Sequence, residues 1–313
     1  MISNKEKNFV SAVIYVRNNE NEITKFLDYI NSVLDTNFEK YEIICVNDSS
    51  TDKTVDKIKT FSKSLSGTIV SVLNMSYYHG VELSMNAGID LSIGDFVYEF
   101  DSVYMDYPKE LMFQIYKKSL EGFDIVKAVP NKKNRFSSKI FYSLFNTHST
   151  SPYKLATETF QILSRRAINR IQNVNNEILY RKAVYASCGL SQTEVSYTPL
   201  SKKLEKKTEE SEKYRKKLAT DSLILFTDIA YRFSIAMSCI MMIATALIGI
   251  YALVIFFGQN PVAGWTTTIL FLAFGFFCVF SIMTIIIKYL SLLVELDFKK
   301  QNYVIESIEK ITR

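Results

Sequence analysis

The sequence predicts an α/β domain with a mostly parallel sheet, followed by an interfacial helix and a hairpin of two transmembrane helices. The domain is predicted because, over about the first hundred residues, apolar runs of strand length alternate with segments of helical period. The hairpin is predicted because residues 233–287, 55 in all, contain no Asp, Glu, Lys or Arg. One membrane pass needs only about 20 apolar residues, so this run accommodates two.

The first part of the chain alternates strand and helix in a regular order. The predicted strands are VSAVIYV, YEIICVN, GTIVSVLNM and DFVYEFD, and the predicted helices between them are EITKFLDYINSVL, VDKIKTFSKSL and GVELSMNAGIDLSI. Polar residues cluster directly after the strands. Because the carboxyl ends of parallel strands share one edge of a sheet, we expect a ligand crevice at that edge.

Between Pro108 and Gly189 the pattern is looser. It predicts a helix at KELMFQIYKKSLEG, a strand at FDIVKAV, a helix at SSKIFYSLFN, a strand running into a helix at ETFQILSRRAINRI, and a late strand at SQTEVSYTP. The four cysteines have no C-x-x-C spacing, which argues against a zinc site or a disulfide framework.

The turn-forming segment GQNPVAG divides the uncharged run into two passes, at about 233–257 and 265–287. Residues 201–217 carry eight basic and four acidic side chains, and Lys288, Lys299 and Lys300 follow the second pass. Basic flanks remain on the cytoplasmic side, so both termini are expected in the cytoplasm. The first residues, MISNKEKNF, lack the apolar core of a signal peptide, so nothing argues for export of residues 1–200. We therefore expect an integral membrane protein.

Composition divides the chain into residues 1–200, a basic juxtamembrane segment at 201–232, the membrane hairpin at 233–291 and a cytoplasmic tail at 292–313. Apolar side chains share one helical face over 218–232, which predicts a helix lying in the membrane interface. An extension of the first pass is the alternative. The net charge of +5, without a basic-aromatic stripe, indicates attraction to a membrane surface and argues against nucleic acid as a partner.

Several segments, in their order and with the hairpin after them, resemble a known family. They are VSAVIYVRNNENEI, VNDSSTDKT, NAGIDLSIGDFVYEFD and SKIFYSLFN. They resemble inverting family 2 glycosyltransferases of the GT-A fold, and more narrowly the polyprenyl-phosphate branch with dolichol-phosphate mannose synthases and bactoprenol glucosyltransferases. The resemblance implies that residues 1–200 are a GT-A domain. It also implies transfer of one hexose from a UDP- or GDP-linked donor to a polyprenyl phosphate at a bacterial inner or plasma membrane. A homo-oligomer is a further expectation.

The resemblance assigns donor contacts at the ends of the first two strands. Asp48 matches the family's base-binding carboxylate, whereas an Asx-type turn capping the next helix is the alternative. The family's Pro-x-Tyr-Asn-Glu corresponds to residues 15–19, so Tyr15, Arg17 and Asn19 are candidate donor contacts. Arg17 would add a permanent cation beside the donor pocket and is a candidate catalytic residue; an ordinary solvated arginine is the alternative.

The fourth strand ends at Asp101, which matches the first carboxylate of the family's D-x-D metal motif. Asp101 is a candidate catalytic, donor-binding and metal-binding residue, and Ser102 a candidate donor contact. The second carboxylate is replaced by Val103, and Met105 stands where a polar residue often completes the site. Asp106 could substitute as a ligand or could cap the helix near Pro108. Because valine and a thioether do not bind Mg²⁺, we expect Mg²⁺ or Mn²⁺ to bind weakly or not at all.

The family's Ser-Lys-Tyr segment near the membrane is similar to SEKY here, so by resemblance Lys213 and Tyr214 are candidates to hold the lipid phosphate. The basic residues Lys139, Arg215 and Arg232 could hold it together with them. General attraction to anionic headgroups is the alternative. In ETFQI, Thr159 and Gln161 replace the family's acid and arginine, and strand alternation would turn Glu158 to the opposite face.

Two functions remain open. A polyprenyl phosphate is already anionic near pH 7, so it can attack without a strong base, and the departing nucleoside diphosphate is what needs stabilising. One hypothesis is therefore an active transferase with reduced metal dependence, whose Arg17 and nearby lysines stabilise the diphosphate. The other is a degenerate homologue that binds a lipid or a partner. Transfer to a non-phosphate acceptor would need a catalytic base that the sequence does not identify.

Overall fold

The computed structural model describes residues 5–65, 67–131, 136–148, 153–155, 157–174, 180–200, 209–226 and 303–311, with isolated helical positions between 233 and 293. The chain divides into two units. The first comprises residues 1–146, 151–219 and 300–313, and the second comprises residues 147–150 and 220–299.

Strands and helices alternate through most of the first unit. In chain order the elements are β1 (Val10–Val16), α1 (Ile23–Asn37), β2 (Tyr41–Asn47), α2 (Thr54–Ser64), β3 (Ile69–Met75), α3 (Val81–Leu91), β4 (Phe96–Phe100), α4 (Glu110–Leu120), β5 (Ile125–Pro130), α5 (Phe136–His148), β6 (Phe160–Ser164), α6 (Arg165–Val174), α7 (Arg181–Ser187), β7 (Gln192–Tyr197), α8 (Glu209–Phe226) and β8 (Ile305–Ile311). The strands and helices predicted over the first hundred residues are confirmed.

The strands form one mostly parallel sheet in the order β7-β5-β6-β4-β1-β2-β3-β8. The run β4-β1-β2-β3 is parallel, whereas β6 is antiparallel to β4 and β5, and β8 is antiparallel to β3. Consecutive strands spread in one direction from β1 to β3, and β4 then returns to the other side of β1. This reversal is the topological switch point at which open α/β sheets bind ligands.

The alternation of β1 places its side chains on two buried faces. Val10, Ala12, Ile14 and Val16 belong to the same apolar cluster as buried residues of α1. Val13 points to the other face, where α3 lies close to the sheet at Gly88. Helices therefore cover both faces, as expected of a parallel sheet.

The C-terminal segment extends the sheet, which the sequence analysis did not predict. The Asn74 side-chain amide donates to Ser307 Oγ (3.0 Å) and Glu309 Oε1 (3.2 Å), joining β3 to β8. Just before β8, the Val304 N–H donates to Nε2 of His79 at 3.1 Å. The predicted tail thus contributes an edge strand and reaches the loop that follows β3.

The predicted membrane passes, 233–257 and 265–287, lie almost entirely outside the described residues, as do positions 227–232 of the predicted interfacial helix. Within the part of the chain that the structure describes, no helix has the length and apolar character needed to span a bilayer.

We expect Gly88→Ala to destabilise the first unit by about 1–3 kcal/mol, because overpacking strains a well-packed interior. A Cβ at this position would lie 2.5 Å from Val13 Cγ1 and from Val46 Cγ2. Urea denaturation measures the effect, with Gln114→Ala on the exposed face of α4 as the control. Equal stability of both variants would contradict close packing of α3 on the sheet.

Candidate active site

A buried arginine, Arg181 at the start of α7, organises the carboxyl end of β4. Its Nε contacts Glu82 Oε2 at 3.1 Å, its Nη1 contacts Glu99 Oε2 at 2.8 Å and its Nη2 contacts Asp101 Oδ1 at 2.6 Å. The Arg181 side chain is 1% exposed. Since Glu82 lies on α3 and Glu99 on β4, one guanidinium joins three elements to Asp101.

The next residue, Lys182, forms a second set of ion pairs. Its Nζ lies 3.2 Å from Asp101 Oδ2 and 3.1 Å from Glu158 Oε1. The Lys182 side chain is 15% exposed, that of Asp101 is 27% exposed and that of Glu158 is 4% exposed. Each carboxylate oxygen of Asp101 therefore faces a different protein cation.

These pairs fix the charge state of Asp101. Burial alone would raise the pKa of its carboxyl group, but Arg181 and then Lys182 lower the pKa to about 2. Burial alone would lower the pKa of Lys182, whereas Glu158 and Asp101 raise it well above its ordinary value. Asp101 is a carboxylate and Lys182 an ammonium over the physiological range.

Glu99 is the most deeply placed acid of the group. Its carboxylate accepts hydrogen bonds from Tyr185 Oη (2.7 Å) and Gln161 Nε2 (2.8 Å), in addition to the Arg181 pair. Burial is the largest influence and raises its pKa, although Arg181 opposes the change. Gln161 stands where the resemblance places an arginine, so here the position serves to satisfy a buried carboxylate.

Asp48, at the end of β2, is fully buried (0% exposed). Its Oδ2 accepts from Tyr15 Oη and from the Gly80 N–H, both at 2.9 Å, and its Oδ1 accepts from the His79 N–H at 2.8 Å. The carboxylate thus fixes the loop after β3 against the end of β1. Its predicted contact with the base of a donor stays a prediction.

The alternative for the segment after β2 was an Asx-type turn that caps the next helix, and part of it is observed. Asn47 Oδ1 accepts from the Ser50 N–H at 3.1 Å, three residues along the chain, and so fixes the turn after β2. The Asx-turn at the start of α2 is formed instead by Asp52, whose Oδ1 accepts from the Thr54 N–H, two residues along the chain, at 3.0 Å.

Arg17 lies on the Asp48 side of the crevice. Its Nη1 donates to the carbonyl oxygens of Asp48 (2.6 Å) and Ser49 (3.3 Å), and its guanidinium lies 4.1 Å from the centre of the Tyr78 ring. Asn19 Oδ1 accepts from the Arg17 N–H at 2.9 Å and shapes the turn after β1. The predicted donor residues Tyr15, Arg17 and Asp48 are therefore brought together. Asp101 is paired with two cations that the sequence analysis did not identify.

The residues after β4 do not fit a divalent ion. Val103 is buried in the apolar core, and Met105 packs against it. Asp106 Oδ1 accepts from Tyr197 Oη at 2.7 Å, and α4 begins at Glu110, so Asp106 is not its cap. Among the described residues, no three His, Cys, Asp or Glu side chains are grouped as metal ligands.

The prediction for Glu158 was wrong. We expected strand alternation to turn it away from the site, but β6 begins only at Phe160, and Glu158 contacts Lys182. Alternation does not apply before a strand starts. Thr159 Oγ1 instead forms a 2.5 Å hydrogen bond with Tyr197 Oη.

The candidate phosphate-binding residues are only partly described. Lys213 is exposed on α8, and Tyr214 packs against Gly80, where an added Cβ would overlap its ring. Ser102 Oγ accepts from the Tyr104 N–H at 3.1 Å. Arg232 and the side chains of Lys139 and Arg215 lie outside the described residues.

One feature of the sequence indicated that a buried cation lies beside β4, although the sequence analysis did not use it. Glu99 is the single charged residue in the strand FVYEF, and a charge buried in a strand requires a partner. That signal predicts a cation but does not identify Arg181 as its source.

Comparisons with known sequences identify the family of the chain. The sequence model described as "Glycosyl transferase family 2" matches residues 11–182. An uncharacterized glycosyltransferase of Synechocystis sp. is 29% identical over 194 residues, 60% of this chain and 60% of that protein. A bactoprenol glucosyl transferase of Shigella phage SfX is 27% identical over 192 residues, 59% of this chain and 62% of that protein. The chain thus matches less than two thirds of the length of these relatives.

Among solved structures, a mannosyltransferase from Pyrobaculum calidifontis in complex with GDP-Man and Mn²⁺ has a TM-score of 0.48 and 14% identity. That comparison covers 89% of this chain and 88% of the other.

We expect Arg181→Met to destabilise the first unit by about 3–5 kcal/mol, because it leaves buried carboxylates without their cation. In the variant, burial keeps the folded-state pKa of Glu99 above its unfolded value, so the folded chain binds protons more tightly. The deficit relative to wild type should therefore shrink between about pH 8 and about pH 5. Urea denaturation at both pH values measures this.

The matched control is Lys118→Met, which removes the exposed Lys118–Glu121 pair and should change stability by less than about 1 kcal/mol. A pH-independent deficit in Arg181→Met would contradict the role of the guanidinium as counter-ion.

Proposed function

The chain belongs to glycosyl transferase family 2, and we propose that it transfers one hexose from a nucleoside diphosphate donor to a polyprenyl phosphate. It is a glycosyltransferase with an α/β domain of the Rossmann-like GT-A type. The donor would be a UDP- or GDP-hexose bound in the crevice at the carboxyl ends of β1 and β4. A weakened dependence on divalent metal is part of the proposal.

The observation that carries the proposal is the charge arrangement at the switch point of the sheet. Asp48, Tyr15 and Arg17 are joined on one side of β1, and Asp101 follows the neighbouring strand β4 with two cations beside it. In the first group, a fixed turn and the aromatic ring of Tyr15 could contact the nucleoside of the donor. In the second group the Lys182 ammonium, which is 15% exposed, lies at the sheet edge, where a departing diphosphate needs a cation.

The lipid acceptor is supported by three features. Relatives of this chain are named bactoprenol glucosyl transferases, residues 233–287 carry no charge, and residues 201–217 before them are rich in lysine. We propose that the chain is an integral membrane protein with both termini in the cytoplasm. The lipid phosphate would then be held near Lys213 and Tyr214.

The chemistry requires little from a general base. A phosphate monoester has a second pKa of roughly 6, so the acceptor oxygen is already anionic at neutral pH. The protein must orient this oxygen and stabilise the negative charge that accumulates on the leaving diphosphate. Fixed cations can supply that stabilisation without a bound metal ion.

A second candidate function is a degenerate homologue that binds a lipid or a partner protein without catalysis. It is favoured by one observation, that the oxygens of Asp48 and Asp101 already have protein partners. A donor would then have to bind beside these groups or displace a partner.

The full chain, purified in detergent and supplied with polyprenyl phosphate, should transfer a hexose from at least one UDP- or GDP-sugar. Radiolabel in the lipid fraction measures this, and we expect activity to persist in EDTA. No transfer from any donor, together with no nucleotide binding by calorimetry, would favour the degenerate homologue. Strict dependence on Mg²⁺ would refute only the metal part of the proposal.

Arg17→Ala should weaken donor binding about tenfold, a change of one decade in Kd. The variant removes a cation and releases the carbonyls of Asp48 and Ser49. Arg17→Lys keeps the charge but loses the planar stack on Tyr78, so it should retain part of the affinity. Calorimetry with Lys25→Ala, an exposed residue of α1, is the control. Wild-type affinity in Arg17→Ala would remove Arg17 from the donor site.

A further inference from the structure

The carboxylates of Asp101 and Glu158 are arranged around a lysine side chain, which distinguishes this site from a divalent-metal site. A divalent ion in a nucleotide site is held by hard oxygen ligands. Here a side-chain nitrogen, Lys182 Nζ, already lies between two such oxygens, 3.2 Å from Asp101 Oδ2 and 3.1 Å from Glu158 Oε1. The position of the second D-x-D carboxylate is Val103, which is buried in the core.

We propose that Lys182 is a resident cation that takes the place of the divalent ion, and that its ammonium contacts the diphosphate of the donor. This inference rests on the proposed function, since it identifies the group that would stabilise the leaving diphosphate. The sequence predicted that Arg17 and nearby, unspecified lysines would stabilise the diphosphate; the structure points to Lys182 for this role.

Arg181 and Lys182 have different roles because their accessibilities differ. Arg181 is 1% exposed and uses Nε, Nη1 and Nη2 on three carboxylates, so it is a positioning residue. Lys182 is 15% exposed and contacts Asp101, whose side chain is 27% exposed. Arg181 holds one oxygen of Asp101, and the other oxygen faces the ammonium.

The ammonium has capacity for a further partner. Lysine carries three N–H donors, and within the described part of the chain two carboxylates, Asp101 and Glu158, contact Lys182 as ion pairs. A diphosphate oxygen arriving at the sheet edge could take a remaining donor. The two carboxylates would keep Nζ in position while it does so.

A built-in ammonium differs from a metal ion in charge. It supplies one positive charge where Mg²⁺ or Mn²⁺ supplies two, and it cannot be removed by a chelator. Donor binding should therefore be insensitive to EDTA and should weaken with salt, as expected for a partly exposed charge pair.

The first experiment measures Mn²⁺ binding by electron paramagnetic resonance on the full chain in detergent, without donor. Wild type should bind no Mn²⁺ at the site. Lys182→Met should bind Mn²⁺, because it releases Asp101 and Glu158 as oxygen ligands. The double variant Lys182→Met with Glu158→Gln should lose this binding again.

The second experiment measures UDP and GDP binding by calorimetry in EDTA. Lys182→Met should bind the nucleotide that wild type binds at least about tenfold more weakly, the scale of one lost charged contact. Lys182→Arg should retain part of the affinity, and the exposed Lys118→Met should match wild type.

Three results would overturn the inference: Mn²⁺ binding by wild type without donor, Mn²⁺-dependent nucleotide binding by wild type, or unchanged nucleotide affinity of Lys182→Met in EDTA. The first two need no variant, so they apply even if Lys182→Met does not fold. If wild type binds no nucleotide, the proposed function fails instead. The Mn²⁺ measurement then still decides whether Lys182 occupies a cation site.

Discussion

The buried guanidinium of Arg181 is the constraint on which the rest of the site depends. Three carboxylates, Glu82, Glu99 and Asp101, converge on it from α3, β4 and the loop after β4. Without a central cation their mutual repulsion and desolvation would separate these elements. With it, the N-terminal end of α3 is tied to β4, and Asp101 is kept ionised at a defined place on the sheet edge.

The two sides of the crevice differ in the group at their centre, which is a carboxylate on one side and a pair of cations on the other. On the Asp48 side a buried carboxylate gathers N–H and O–H donors from β1 and from the loop after β3. On the Asp101 side, cations gather carboxylates. Asp48 follows β2 and Asp101 follows β4, and these two strands lie on either side of β1, so the two arrangements flank the end of β1.

Sequence reasoning succeeded for features that neighbouring residues in the chain determine. Apolar runs specify β1 to β4, and Asp48 and Asp101 could be identified because each directly follows a strand. It failed for Arg181 and Lys182 because their partners are remote; Arg181 is 80 residues from Asp101 and 99 from Glu82. It misjudged Glu158 because the alternation rule was applied before the first residue of β6. It missed β8 because an exposed edge strand such as IESIEKI lacks the apolar run of a central strand.

The late position of β8 in the chain affects how the protein is made. His79, whose N–H binds Asp48, accepts a hydrogen bond from Val304, 225 residues further along the chain. At ribosomal speeds of about 5–20 residues per second, this interval is roughly 10–45 s. During that time β3 is an open edge on the nascent chain, exposed to pairing with other strands. Synthesis of residues 304–311 is therefore required before the β3 edge can be paired and the loop beside Asp48 completed.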